Sequence, residues 1–141
     1  GATMTYEAWD DKFKNNQDWN HAWGAAPANV IPRYVVGVRP LEPGFARMLI
    51  SPQTSTLKSV EAVVPTIRGR VEVDIQSSFE KYVMRVKIPA NTVAEVDLPM
   101  LLEAEELLVD GESVPLIITE NHRIECGEMG SGEHTFEVRW K

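Results

Sequence analysis

The chain is poor in the residue types that announce several common functions. It has one cysteine, Cys126, so no internal disulfide can form. No His/Cys group has metal-ligand spacing, and nothing calls for a metal or a cofactor. Cys126 reads as a small, partly buried residue. Basic residues are also scarce: 14 Lys and Arg stand against 21 Asp and Glu, a net charge of −7. That balance argues against nucleic acid, whose phosphates need clustered Lys and Arg, and against anionic membrane surfaces. No apolar run approaches the ~20 residues of a membrane-spanning helix. No basic-then-apolar leader is visible and no Met opens the chain, so the expectation is a chain that begins inside a longer sequence or after processing. Neutral ligands such as sugars remain open.

What is present is concentrated at one end. Three of the four tryptophans, Trp9, Trp19 and Trp23, lie close together, with Glu7, Asp10, Asp18 and His21 among them. Aromatic faces interleaved with carboxylates and an imidazole are what a sugar cleft needs. Glu7 sits between Tyr6 and Trp9, where desolvation would raise its pKa and make it a useful general acid or base. His21 could bond a sugar hydroxyl or orient a carboxylate. The same residues also have plain structural readings: a surface glutamate, a packed histidine, core aromatics, and Asp10 and Asp18 as capping or surface groups.

Residues 1–16 read as a loop. From Trp19 the apolar positions Trp19, Ala22, Trp23, Ala26, Val30, Tyr34 and Val38 recur at helical spacing. Pro27 and Pro32 predict a kink, or a regular part that begins near Pro27. Gly37 and Pro40 end the helix, and residues 39–44 form the boundary. The expected organisation is residues 1–40 as loop plus helix and residues 41–141 as a β domain.

Beyond Gly44 the period becomes two. Val71, Val73 and Ile75, then Tyr82, Met84, Val86 and Ile88, then Ala94, Val96 and Leu98, then Phe136, Val138 and Trp140 alternate with mostly charged residues. These read as half-buried strands. Phe45 to Ile50 and Leu57 to Val64 read as less regular ones. Asp110-Gly111 is a hairpin signal, Asn121-His122 a second tight turn, and Gly127 to Gly132 a flexible loop. About eight short strands predict an antiparallel β-sandwich, making the chain mainly β. Within it His122 and His134 have no carboxylate at telling spacing, Arg68 and Arg70 read as solvated, and Glu103, Glu105 and Glu106 as a solvated acidic loop. Phe79, Tyr82, Phe136 and Trp140 are assigned mostly to inward faces, which leaves no exposed aromatic row for sugars.

The segment Gly1-Ala2-Thr3-Met4-Thr5-Tyr6-Glu7-Ala8-Trp9-Asp10, followed by Asn20-His21-Ala22-Trp23-Gly24, resembles the end of the catalytic domain of bacterial α-L-rhamnosidases. Arg33-Tyr34, Gly37-Val38-Arg39-Pro40, Pro43-Gly44-Phe45, Pro52 and Pro65-Thr66-Ile67-Arg68-Gly69 continue the likeness in order. The resemblance implies an (α/α)6 barrel, of which residues 1–40 are a remnant, followed by a C-terminal β-sandwich. It implies inverting hydrolysis of terminal α-L-rhamnose, with Glu7 as the general base that activates water and His21 on the sugar; Trp9, Asp10 and Trp23 join it as substrate-binding candidates. Tyr6 stands where the family often has tryptophan and Ala8 where it often has arginine. The family's general acid lies upstream, so the chain alone is expected to be inactive. The implied partners are rhamnose-containing glycosides or polysaccharides and the rest of the catalytic domain, with a homodimer of this chain as a further expectation. The alternative is a non-catalytic carbohydrate-binding or structural sandwich.

Overall fold

A computed structural model describes residues 5–141. The chain divides into two compact units, residues 1–31 and residues 32–141.

The second unit is a two-sheet β-sandwich. Its strands are β1 (Val38–Pro40), β2 (Arg47–Ile50), β3 (Ser59–Thr66), β4 (Gly69–Ser77), β5 (Lys81–Ile88), β6 (Val93–Pro99), β7 (Ala104–Val109), β8 (Glu112–Val114), β9 (Ile117–Ile118), β10 (Arg123–Met129) and β11 (Gly132–Trp140). One sheet runs β1-β2-β6-β10-β9 and the other β3-β4-β5-β11-β7-β8. Neighbours pair antiparallel except β2 and β6, which run parallel from Arg47 opposite Val93 to Ile50 opposite Val96. The eleven strands exceed the expected eight because β1, β8 and β9 have only two or three residues each, too short to show a period.

Alternation sends one face of each long strand into a common core. Every residue expected to point inward on β4, β5, β6 and β11 is buried, with Tyr82, Phe136, Met84 and Leu98 among the largest, and Met48 of β2 joins them. Burying such side chains contributes roughly 1.5–3 kcal/mol each. Between Asp97 and Arg123 the outer side of the first sheet carries a half-buried polar knot. Arg123 donates through Nε to Asp97 Oδ1 at 2.7 Å and through Nη1 to the Pro52 carbonyl at 3.0 Å. Ser51 donates to the same carboxylate at 2.6 Å.

Several local expectations need correction. Gly127 to Gly132 is not a flexible loop: Gly127 lies within β10 at a bulge opposite β6, and Gly132 begins β11. Ser131 is at its tip and donates to the Thr92 carbonyl. Glu105 and Glu106 lie in β7, where Arg139 pairs with Glu106 at 2.8 Å, and Lys141 bonds the adjacent Glu103 at 2.5 Å. Arg68 donates through Nε to the Gly44 carbonyl at 2.8 Å and so ties two loops together. His134 does have a carboxylate partner, Asp110 Oδ2 at 2.9 Å, because β11 lies beside the β7–β8 turn. Phe79 is not inward: it sits in the β4–β5 turn and is 90% exposed.

The helical expectation over Trp19 to Val38 is met only in its middle. Ala22–Ala25 is a 3₁₀ turn, Ala26–Val30 an α-helical turn (α1) and Ile31–Val35 a π-helical turn. Pro27 sits at the start of α1, where its missing N–H has no role to fill. Pro32 lies one turn further on, where the missing N–H removes a bond to the preceding turn, and the ladder widens there. Val38, expected as the last apolar position of the helix, instead opens β1, which pairs with β2 from Val38 opposite Ile50 to Pro40 opposite Met48. No helix among the described residues is long and apolar enough to cross a membrane.

Candidate functional site

The first unit gathers the candidate chemistry without a core. None of its described residues, from 5 to 31, is buried. Its organisation comes from hydrogen bonds across the stretch. His21 N–H donates to the Thr5 carbonyl at 2.8 Å and Thr5 Oγ1 returns a bond to the His21 carbonyl at 3.0 Å. Glu7 N–H donates to the Asp18 carbonyl at 3.1 Å. Gly24 permits this approach, since a Cβ there would meet Thr5 Oγ1 at 2.7 Å and the Tyr6 carbonyl at 2.8 Å.

The result is a three-residue cluster. Ligand-type atoms of Glu7, Asp18 and His21 all lie within 4.8 Å of one another. Glu7 Oε2 accepts from Asp18 N–H at 3.0 Å, and its other oxygen is ion-paired with Lys14. His21 Nδ1 is 3.5 Å from Asp18 Oδ2. The His21 ring meets Trp23 edge-on, with centroids 5.6 Å apart and planes at 75°. The Lys14 ammonium first, then the Asp18 N–H, holds the Glu7 carboxyl below the usual carboxylate value of 4.5. This reverses the expected direction. A desolvated glutamate would titrate high, but Lys14 and a backbone donor supply the charge and the hydrogen bond that favour the ionised form.

Of the five candidates, the structure brings Glu7, His21 and Trp23 together and leaves Trp9 and Asp10 apart from them. Trp9 is 99% exposed, and Asp10 accepts from Lys12 N–H at 3.0 Å in a tight turn. Sequence spacing missed Lys14 as the partner of Glu7, and it counted Asp18 among the cleft carboxylates or as a capping or surface group without pairing it with Glu7. Seven and eleven residues of irregular chain carry no period that would have paired either with Glu7. Chemically the cluster is an ionised carboxylate with an imidazole and an aromatic ring beside it. It can accept a proton or bond sugar hydroxyls. One nitrogen and two carboxylates are also a donor set for a divalent ion, a possibility that residue spacing did not reveal, although the Lys14 ammonium already supplies positive charge at Glu7.

The remaining titratable groups with perturbed behaviour are structural. Burial first, and then the Asp97 charge, pushes the Cys126 thiol up to about 12, so it stays protonated and inert at neutral pH. Burial raises the Tyr82 hydroxyl in the same way.

Comparison with known proteins gives the sandwich a family. The family profile of the bacterial α-L-rhamnosidase C-terminal domain matches residues 37–112, more than half of the chain. The chain belongs to that family. An α-L-rhamnosidase of Formosa agariphila is 29% identical over 99% of the chain, and one of an Alteromonas species is 33% identical over 67%. The chain spans only 16% and 11% of those two proteins' lengths. Among solved structures, the α-L-rhamnosidase of Dictyoglumus thermophilum superposes with a TM-score of 0.78 at 27% identity, over 87% of this chain and 14% of that one. The Streptomyces avermitilis enzyme, solved with L-rhamnose, gives 0.76 over 97% of this chain and 14% of that one; at 22% identity it speaks for the fold alone. The two-sheet sandwich is thus the α-L-rhamnosidase C-terminal domain.

Proposed function

We propose that this chain is the C-terminal part of an α-L-rhamnosidase, and that the parent enzyme hydrolyses terminal α-L-rhamnosides with inversion. The residues ahead of β1 come from the end of its catalytic barrel. Glu7 is the general base, His21 and Trp23 contact the sugar, and Trp9 and Asp10 complete the wall once the rest of the barrel is in place. The observation that carries this reading is the cluster itself: Glu7, Asp18 and His21 are gathered beside an exposed tryptophan, in a chain that belongs to an α-L-rhamnosidase family.

The chemistry fits one half of an inverting site. An inverting glycosidase needs one carboxylate to deprotonate water and a second carboxyl group, about 6.5–9.5 Å away, to protonate the leaving group. Glu7 is held ionised and so suits the base. Asp18 touches the Glu7 backbone and is too close to serve as the distant acid. The acid therefore belongs to the remainder of the parent. Lys14 must leave Glu7 before the carboxylate can address a water.

The isolated chain is then inactive, because proton donation to the leaving group, worth ~10²–10⁴-fold, is missing. Incubation with an aryl α-L-rhamnoside should release no aryl alcohol above background, and robust turnover would overturn this reading. In the parent, Glu7→Gln should lower kcat by about 10²–10⁴-fold, while the wild type releases β-L-rhamnose as the first-formed anomer by NMR. Unchanged kcat in that variant would remove Glu7 from the mechanism.

A further inference from the structure

The sandwich carries a groove unrelated to the Glu7 cluster, lying wholly within residues 55–102. Its volume is about 540 Å³. Leu57, Leu101 and Leu102 line it, Phe79 stands in its wall, and Lys58 and Ser77 lie among them. Three connections build it: the segment before β3, the β4–β5 turn and the β6–β7 connection.

Phe79 is the first notable part. A phenylalanine that is 90% exposed at a turn gains nothing from burial within its own unit. Its turn is nonetheless well fixed. Ser78 N–H donates to the Lys81 carbonyl at 2.9 Å, and Ser78 Oγ accepts from Glu80 N–H at 3.2 Å and Lys81 N–H at 3.1 Å. Ser77 N–H donates to the Lys58 carbonyl at 2.8 Å, which locks the Lys58 segment against the end of β4. The ring and the ammonium are therefore carried on backbones tied to each other.

Lys58 is the second. Every other lysine of this acidic chain pairs with a carboxylate: Lys12 with Asp10, Lys14 with Glu7, Lys81 with Glu137, Lys87 with Glu133 and Lys141 with Glu103. Lys58 has no such partner among the described residues and is the one charged residue lining the groove. An exposed ring face, an apolar floor, side-chain hydroxyls and one uncompensated cation form a site for a ligand with an apolar face, several hydroxyls and one negative charge. A pyranose that bears an acidic group has those properties.

We propose that this groove binds an anionic sugar, with the pyranose face on Phe79 and its carboxylate or sulfate on Lys58. The ring supplies contact area and Lys58 supplies the choice of charge. Neutral pyranoses bind more weakly because they leave the ammonium unmatched. Since the groove shares no residue with the Glu7 cluster, failure of either reading leaves the other standing.

The test is an amide-NMR titration of the whole chain with methyl glucuronide, glucose 6-sulfate and methyl glucoside. Both anionic sugars should shift the amides of residues 57–58, 78–80 and 101–102, which distinguishes the groove from any response near Glu7. Stronger binding of one anion over the other identifies the source of the charge. Lys58→Gln should weaken the anionic sugars roughly threefold, as for an exposed ion pair, and bring them level with the glucoside. Raising the salt concentration should do the same. Phe79→Ala should weaken all three by about tenfold, with thermal stability unchanged because the ring packs on nothing in its own unit. Absence of shifts in these segments with both anionic sugars, or equal affinity for the glucoside in the wild type, would overturn the proposal.

Discussion

At the residue scale, the decisive pair is Glu7 and Lys14. The expected high-titrating glutamate became a low-titrating one because a lysine seven positions on reaches its carboxylate. Lys14→Met should let the Glu7 carboxyl rise toward its ordinary value of 4.5, read by carbon-detected NMR titration. The linkage follows from the sign. A carboxyl whose folded pKa is depressed stabilises the fold above its unfolded pKa and loses that contribution as pH falls through the folded value. Local order in residues 5–31 should therefore fade on acidification, and less steeply in the variant. Two glycines make a second residue-scale contrast. Gly37 and Gly111 have nearly equal φ, 88° and 86°. A Cβ on Gly37 would lie 2.2 Å from the Ser51 backbone, whereas one on Gly111 meets nothing within 4 Å. Gly111→Ala should cost only the backbone penalty of about 1 kcal/mol, and Gly37→Ala at least about 3 kcal/mol, by urea denaturation.

At the element scale, the β7–β8 hairpin was legible and its partner was not. Asp110-Gly111 has both residues at positive φ, the geometry that Asp-Gly favours in a two-residue hairpin turn. The bonds from Asp110 to His134 and to Thr135 N–H, at 2.9 and 2.7 Å, cross 24 and 25 residues, so no local pattern could reveal them. Burial pushes the Asp110 carboxyl up, but these two bonds outweigh it and its pKa falls below 3.8. Asp110→Asn keeps the turn and removes the charge. It should cost less than about 1 kcal/mol at neutral pH, because the carboxylate is half-exposed, and should flatten the loss of stability below the unfolded pKa. The long strands were readable from period-two alternation, which survives wherever one face is buried. The helical segment was half-readable: its apolar spacing is real, but two prolines divide Ala22–Val35 among three kinds of turn. The candidate cluster was legible in residue type and not in pairing, since irregular chain carries no period to place Lys14 or Asp18 beside Glu7.

At the scale of the whole molecule, the two units contrast in what they bury. The sandwich closes over a continuous core, whereas Trp9, Phe13, Trp19 and Trp23 of the first unit are all exposed. Exposed apolar groups at that density promote association. The chain should elute from gel filtration above its monomer mass, and replacing Trp9, Trp19 and Trp23 together by Ser should return it to the monomer position. A monomeric wild type at high concentration would contradict this. The parallel pairing of β2 with β6 bears on how the sandwich assembles. β3, β4 and β5 join in succession through tight turns and can close early, since loop closure over short separations costs little. β2 meets β6 only across residues 51–92, which contain those three strands, so the first sheet has no local route to completion. Pulsed hydrogen exchange during refolding should protect the amides of β4 and β5 before those of β2. The order in which the ribosome delivers the strands would then differ from the order in which they become stable, and β1 and β2 would wait, already made, for β6.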